Sequence, residues 1–242
     1  IFVTNGAWAD VAVTFASVDG KYTAFILDKE CEGWVVGEEE KKMGIKGSST
    51  VTFFYEDCKV PLENVLGEVG EGGPIAFNVL YVGRFKLGVS TAGGAKYVID
   101  AALDYANDRE QFNRSIKNFG MIQRKFANMV TRVWEGDTIN YMITGSIDHT
   151  LANVDKSAKN YFEIVQKTIE DHGIEASISK IVGSEALAYI VDEGVQIFGG
   201  NGFIEEYPMA SAYRDERINR IFEGTNEINR LIIGGTVMKK AI

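Results

Sequence analysis

The clearest candidate for chemistry is the acid in the segment IFEGTNEI, residues 221–228. Glu223 follows an apolar pair and precedes Gly224 and Thr225, and threonine often caps the start of a helix. Apolar surroundings raise the pKa of a carboxyl, and the first N–H groups of a helix attract developing negative charge. Together these features suit the removal of a proton next to a carbonyl group. A lone acid before a glycine is more often part of an ordinary turn, which is the competing interpretation.

Two further stretches have features that suit ligand binding. Residues 196–203, QIFGGNGF, place three glycines within four residues beside Gln196, which indicates close approach of the backbone to a bulky ligand. Residues 109–112, REQF, place a positive charge and an amide next to an aromatic ring. A solvated helix end followed by a buried Phe112 is the simpler explanation of this second stretch.

The histidines and the first glycine-rich segment give weaker indications of a functional site. His149 and His172 lie in polar segments, and two histidines argue against a metal site built from several histidines. The four glycines between residues 67 and 73 lack the strand-to-helix context and the downstream acid of a dinucleotide-binding loop. These glycines therefore indicate a linker.

The elements that must position these residues change in type near residue 62. Alternating apolar residues over 11–16, then Asp19-Gly20 and an apolar run over 22–27, predict a β-hairpin. Residues 61–74 are rich in glycine and proline, as linkers are. Helical spacing follows. It predicts a helix from Val79 to Tyr105, one around 122–133, a long one over 174–198 that stops at Gly199-Gly200, a short one ending at 217–220, and a last one capped by Thr225.

We therefore predict an α+β fold that is mostly α. The predicted parts are a remnant of a β domain over residues 1–62, a linker over 63–75 and a helical bundle over 76–242. The strand portion is short for an independent core, and the chain begins at Ile1 as if inside a strand. We therefore expect the chain to be a piece of a longer protein.

Composition excludes several classes of protein. The chain has 25 Lys and Arg against 34 Asp and Glu, and a net charge of −9 argues against binding of a nucleic-acid duplex. No apolar run approaches the ~20 residues of a membrane-spanning helix. The two cysteines, Cys31 and Cys58, are too few for a disulfide framework and indicate a reducing compartment.

Taken together, these stretches resemble the acyl-CoA dehydrogenases. The supporting segments occur in the order expected for that family and cover nearly the whole chain. Their amino-acid sequences are most similar to those of the very-long-chain branch. They are FVTNG (2–6), KKMGIKGS (41–48), VPLENVLGE (60–68), GRF (83–85), REQF (109–112), QIFGG (196–200) and IFEGTNEI (221–228). Each segment is weak alone, but the ordered set is highly specific.

The resemblance implies a role for each matching residue around the substrate. Glu223 matches the base that removes the α-proton of an acyl-CoA thioester while the β-hydride passes to the flavin. The N–H of Glu223 would share the thioester oxygen with a ribityl hydroxyl of the flavin. Arg84 matches a position near bound CoA, and Gly224 a substrate contact. Some relatives carry the base at the position of Gly83, which here has no side chain.

The resemblance also implies FAD as cofactor and an assembly of at least two subunits. Thr4 matches a contact to the flavin ring, and Phe2 stands where many relatives have Trp. Thr225 and Glu227 match contacts to the phosphate and adenosine portions of FAD. Six residues match contacts to the FAD of a neighbouring subunit, as in a homodimer or homotetramer: Arg109, Gln111, Phe112, Gln196, Gly199 and Gly200.

The implied activity is the dehydrogenation of a fatty acyl-CoA to the trans-2-enoyl-CoA in β-oxidation. Electrons would then pass to an electron-transfer flavoprotein, in a bacterial cytoplasm or a mitochondrial matrix. An acyl-CoA oxidase and a non-catalytic helical scaffold are the alternatives. The N-terminal helical domain of the family and the first part of its middle β domain have no counterpart in this sequence.

Overall fold

The computed structural model describes residues 1–241, which divide into two compact units. Unit 1 comprises Ile1–Val79, and unit 2 begins at Leu80. Unit 1 is built from short strands and unit 2 from helices, which confirms the predicted α+β class with a predominance of helix.

Unit 1 contains two small antiparallel sheets. One sheet has the order β1-β5-β4 and the other the order β2-β3-β6. The strands are β1 (Phe2–Thr4), β2 (Val11–Val18), β3 (Lys21–Asp28), β4 (Trp34–Val36), β5 (Thr50–Tyr55) and β6 (Val65–Leu66). Asp19 and Gly20 close the β2–β3 hairpin with φ values of 49° and 79°, the pair of positive angles that a two-residue type I′ turn requires. The predicted hairpin is confirmed.

The buried face of the hairpin differs from the one that the apolar pattern suggests. Val11 and Val13 are exposed, whereas Thr23 and Leu27 of β3, which pair with Ala16 and Ala12 on the opposite face, are buried. A period of two identifies the two faces of a strand, but it does not show which face another layer covers.

The cysteines are bonded to each other, contrary to the reduced state that their number indicated. Cys31 and Cys58 form a disulfide with their Cα atoms 6.4 Å apart, a separation typical of disulfides. The pairing of Trp34 in β4 with Tyr55 in β5 explains their proximity. Each cysteine lies three residues beyond this pair, so the same antiparallel register brings the two opposite each other.

The predicted linker over 63–75 is wrong in its first and last parts. Residues Val65–Leu66 form β6, which pairs with β3, and a helix already begins at Gly72. Gly67 and Gly70 adopt φ values of 73° and 105°, so these glycines serve turns within unit 1. The N–H of Gly70 donates a hydrogen bond to the hydroxyl of Thr23 (3.1 Å).

The predicted helices are all present. The helices of the described residues are α1 (Gly72–Asp108), whose first residues belong to unit 1, α2 (Gly120–Leu151), α3 (Tyr161–Asp171), α4 (Gly173–Phe198), α5 (Pro208–Glu216) and α6 (Asn226–Ala241). Two short strands, β7 (Glu110–Gln111) and β8 (Arg114–Ser115), follow α1. Helix α4 is buried on several sides, because it packs against α2, α5 and α6 and crosses α1.

Helices α1 and α4 cross closely because small residues lie at the contact. Gly88 of α1 lies against Ser179, and Gly183 of α4 lies against Thr91. Asn140 of α2 ties the crossing together: its amide nitrogen donates to the carbonyl of Gly88 (3.2 Å), and its amide oxygen accepts from the hydroxyl of Ser179 (2.6 Å). The crossing is therefore both tightly packed and hydrogen-bonded.

Two kinds of feature are absent from the described residues. None of their helices is long and apolar enough to cross a membrane. Nor does any group of three or more His, Cys, Asp or Glu within residues 1–241 have a geometry that could hold a metal ion.

Candidate active site

Glu223 lies in a tight turn between a 3-10 helix (Arg217–Arg220) and α6. Glu223 and Gly224 have φ values of 58° and 80°, so two successive residues adopt the left-handed conformation. This conformation is unfavourable for a residue with a side chain, and it persists only where the surroundings enforce it. The carboxylate of Glu223 packs against Gly83 of α1, and a Cβ atom at Gly83 would overlap it.

Buried side chains hold the turn by its carbonyl groups. The Nε of Arg84 donates to the carbonyl of Glu223 (3.0 Å), and the Nζ of Lys180 donates to the carbonyl of Gly224 (2.9 Å). The amide of Asn229 donates to the carbonyls of Gly224 (2.8 Å) and Thr225 (3.0 Å). Arg84 is 2% exposed, and Lys180 and Asn229 are fully buried. The interior thereby enforces the left-handed turn.

The electrostatics of Glu223 combine burial with neighbouring positive charges. Burial raises the pKa of its carboxyl above the ordinary value, while the charges of Arg84, Lys180 and Lys86 oppose that rise. A carboxyl with a raised pKa is a stronger base when ionised than an exposed one. The positive neighbours keep it ionised to a lower pH than burial alone would allow.

The start of α6 is capped as predicted. The hydroxyl of Thr225 accepts a hydrogen bond from the N–H of Ile228 (3.3 Å). Glu227 lies in the first turn, where hydrogen bonds from its own N–H and from the Thr225 hydroxyl lower the pKa of its carboxyl. Glu223 therefore stands directly before a capped helix N-terminus.

Arg84 is buried within the bundle instead of lying open at a surface. Burial lowers the pKa of its guanidinium, and the nearby Tyr81 and Glu223 oppose that shift. Its Nη1 atom is buried and has no hydrogen-bond partner among the described residues. The predicted contact between Arg84 and a substrate therefore stays a prediction.

The segment around Phe112 is a hairpin tip, and the simpler interpretation of Phe112 as a core residue is wrong. Strands β7 and β8 pair, and Phe112 and Asn113 form the turn with φ values of 54° and 60°. The ring of Phe112 is 86% exposed. An exposed aromatic ring on a strained turn is poorly explained by packing within this chain.

The hairpin and the predicted glycine-rich segment lie at the same end of the bundle. Tyr105, near the end of α1, stacks on Phe198 at the end of α4 (4.1 Å between ring centroids). Its hydroxyl accepts a hydrogen bond from the amide of Asn201 (3.0 Å). A Cβ atom at Gly199 or Gly200 would meet no described atom within 4 Å, so this turn presents an open face.

Glu223 lies near the opposite end of α4. Lys180, which holds the turn of Glu223, precedes Phe198 by 18 residues, a rise of about 27 Å along an α-helix. Within one copy of the chain, the candidate base is thus well separated from the open turn at Gly199 and the hairpin at Phe112.

The remaining predicted residues lie in unit 1. Phe2 and Thr4 belong to β1, where they pair with Thr52 and Thr50 of β5, and the ring of Phe2 is exposed. Conversely, Lys180 and Asn229 were not predicted as site residues. A lysine or an asparagine within a helical segment is most often solvated, and the sequence gives no signal that these two are buried.

Comparison with known proteins identifies the family. Residues 70–238 match the family model described as "Acyl-CoA dehydrogenase, C-terminal domain". A probable acyl-CoA dehydrogenase of Bacillus subtilis is 49% identical over 242 residues, which are all of this chain and 41% of that protein. The very long-chain specific acyl-CoA dehydrogenase of rat mitochondria is 42% identical over 243 residues, covering 96% of this chain and 34% of the rat protein.

A solved structure agrees with these relatives. The acyl-CoA dehydrogenase of Bacillus anthracis, crystallised in complex with FAD, is 48% identical with a TM-score of 0.95. The match covers 98% of this chain and 41% of that structure. The chain therefore spans less than half the length of these three relatives, and the predicted similarity to very-long-chain forms is confirmed. On this evidence, the chain belongs to the acyl-CoA dehydrogenase family.

Proposed function

We propose that this protein catalyses the FAD-dependent α,β-dehydrogenation of a fatty acyl-CoA thioester to the trans-2-enoyl-CoA, with Glu223 as the base. The observation that carries the proposal is the placement of Glu223. Its carboxylate fills the space over Gly83, in a left-handed turn whose carbonyls are held from the interior. A base held in a fixed position reacts faster because less freedom has to be lost in the reaction.

Glu223 removes the α-proton onto a carboxylate oxygen and must be ionised to do so. A raised pKa increases its affinity for that proton. The main-chain N–H of Glu223 is the proposed donor to the thioester oxygen, where it would stabilise the negative charge that develops as the proton leaves. Gly224 and Arg84, whose Nε holds the carbonyl of Glu223, complete the proposed substrate contacts.

The residues that match FAD contacts fit such a cofactor. Thr225 and Glu227 stand at the N-terminus of α6, where N–H groups suit a phosphate. The exposed ring of Phe112 and the open turn at Gly199 offer an aromatic surface and accessible backbone at the other end of the bundle. When bound, FAD supplies the acceptor for the hydride that leaves the β-carbon.

We further propose that each FAD is shared between two subunits. The separation of about 27 Å along α4 supports this, because it places the two groups of FAD-contact residues at opposite ends of the bundle. Arg109, Gln111 and Gln196 would belong to the group that reaches the FAD of a neighbour. The assembly would be a homodimer or a homotetramer.

Removing the exposed ring at the hairpin tip tests the sharing of FAD. In the full-length gene product, Phe112→Ala should lower the FAD content after gel filtration without lowering the melting temperature of the apoprotein. Phe162→Ala is the matched control, because that ring on α3 is also exposed (81%) and matches no FAD contact. Light scattering gives the subunit number. A monomer that retains a full complement of FAD contradicts the shared site.

Filling the space under Glu223 tests the position of the base. Gly83→Ala should slow flavin reduction by acyl-CoA roughly 10- to 100-fold, because the new methyl group displaces the carboxylate. The protein should remain folded, since the displaced group is the end of a flexible side chain. Rapid-mixing spectroscopy measures the rate, and circular dichroism the fold. A variant that reduces its flavin as fast as the wild type shows that this placement does not matter.

The electron acceptor distinguishes the proposed dehydrogenase from its alternatives. The purified full-length gene product should show the visible flavin band, lose it on anaerobic addition of acyl-CoA, and regain it with an electron-transfer flavoprotein faster than with oxygen. Faster recovery with oxygen indicates an oxidase, and a protein without a flavin band indicates a scaffold. Acyl-CoA substrates from short to very long chain length then define the preferred substrate, which we expect to be long.

A further inference from the structure

A lysine that the proposed mechanism does not use lies buried directly beneath the site. Lys180 of α4 is fully buried, and its ammonium donates to the carbonyl of Gly224 (2.9 Å) and to the amide oxygen of Asn226 (2.5 Å). Both acceptors are neutral. A buried cation that is held only by neutral groups is costly to maintain, so its presence calls for a functional explanation.

The peptide group that Lys180 holds links Gly224 to Thr225. In a planar trans peptide, the N–H points opposite to the C=O. By drawing the carbonyl of Gly224 inward, Lys180 directs the N–H of Thr225 the opposite way and fixes the left-handed turn that carries Glu223. Asn226 links the start of α6 to α4 a second time, because its amide nitrogen donates to the hydroxyl of Ser184 (3.1 Å).

The charged groups that act on Lys180 lie on α1, on α4 and in the segment that leads into α6. Helix α1 contributes the positive charge of Arg84, and α4 contributes the negative charge of Glu185. Lys86, also on α1, acts on Glu223. Glu185 is itself paired with Arg230 of α6 (2.7 Å). The segment leading into α6 contributes Glu223 and Glu227. Burial, with the charge of Arg84, lowers the pKa of Lys180 to about 8, so the side chain is still mainly an ammonium at neutral pH.

We propose that Lys180 is a positioning residue for the reaction, whose ammonium anchors the turn of Glu223 and whose charge keeps the Glu223 carboxylate ionised. This inference rests on the proposed role of Glu223 as the base. It adds a separate claim, namely that the ionisation of the base depends on a buried charge from α4. Arg84 shares the anchoring of the turn, but Lys180, with a pKa of about 8, loses its charge at a lower pH than an arginine does.

The sign of the expected effect follows from the charges. A positive neighbour favours the ionised form of a carboxyl, so its removal raises the pKa of Glu223. A higher pKa leaves more of the base protonated at low pH. Once the pH is well above that pKa, the base is ionised in any case and the rate does not change. Loss of Lys180 should therefore move the acid limb of the pH profile upward. A purely structural defect would lower the rate equally at every pH.

Two substitutions separate the charge from the hydrogen bonds. Lys180→Met removes both, and Lys180→Gln removes the charge but keeps an amide donor for the carbonyl of Gly224. In the FAD-loaded, full-length gene product, the pH dependence of anaerobic flavin reduction by an acyl-CoA is followed by rapid mixing. We expect both variants to shift the acid limb upward by about one pH unit. At a pH on the acid limb, this shift corresponds to a rate about tenfold lower than that of the wild type. FAD content should be closer to the wild type in Lys180→Gln.

Controls keep this inference distinguishable from the proposed function. Lys167→Met removes an exposed lysine that pairs with Asp171 on α3, and its profile should match that of the wild type. If Glu223→Gln still reduces its flavin normally, the proposed base is wrong. If Glu223→Gln is inactive but both Lys180 variants retain the acid limb of the wild type, then the role of Lys180 is wrong. Lys180→Gln decides the matter should Lys180→Met fail to retain FAD.

Discussion

Glu223→Gln should nearly abolish reduction of the bound flavin by acyl-CoA while leaving FAD binding intact. Glutamine has nearly the size of glutamate but cannot accept the α-proton. A general base contributes about 10²–10⁴ in rate. The loss should reach the upper end of that range, because Gly83 offers no substitute base on the neighbouring helix. Stopped-flow bleaching of the flavin band measures this directly.

Stability and cofactor content are the controls for this variant. Because burial raises the pKa of Glu223, its ionised form in the folded protein opposes folding above the ordinary pKa of a glutamate. Glu223→Gln should therefore melt at the same temperature as the wild type or higher at neutral pH, and the difference should vanish in acid. A variant that bleaches within a few-fold of the wild type places the base elsewhere. A variant that loses FAD shows that Glu223 is structural.

The largest loss of stability is expected at the crossing of α1 and α4. In Gly88→Leu, the side chain would occupy the space of Ser179, and both the side chain and backbone of Ser179 are in the way. The hydrogen bond from Asn140 to the carbonyl of Gly88 would be disturbed as well. Overpacking of this kind typically costs about 1–3 kcal/mol, and the involvement of backbone places this variant at about 3 kcal/mol or above.

A matched substitution on the same helix separates packing from helix propensity. A Cβ atom at Gly93 would meet no described atom within 4 Å, so Gly93→Leu should gain about 0.5–1 kcal/mol from the better helix former. Thermal and urea unfolding of both variants measure the difference. Equal melting temperatures for Gly88→Leu and Gly93→Leu would show that the crossing tolerates expansion.

Local signals in the sequence predicted the elements well. The hairpin at Asp19-Gly20, the cap at Thr225 and the end of α4 at Gly199 each depend on residues that have strong conformational preferences within one turn. The ordered segments of the family likewise directed attention to Glu223. Each of the three local signals lies within a few residues along the chain, and each family segment is itself short.

Features that depend on distant residues could not be predicted in this way. Val79 and Val82 suggested an apolar helix face, yet both are exposed, and the buried side of α1 carries Arg84 and Leu87 instead. The burial of Lys180 follows from the packing of other helices around α4. The bond between the cysteines follows from the register of β4 and β5. In each case the cause is a neighbour far away in sequence.

The contact between Gly83 and Glu223 has a consequence for how such a base can move during evolution. A glutamate at position 83 would improve the helix, and a glycine at position 223 would relieve the left-handed backbone, so the exchanged pair suits the same scaffold. The two single substitutions that lead to the exchanged pair have different effects. Gly83→Glu alone crowds two carboxylates into one space, whereas Glu223→Gly alone folds readily but has no base. Relocation of the base therefore passes either through a crowded pair of carboxylates or through a protein without a base.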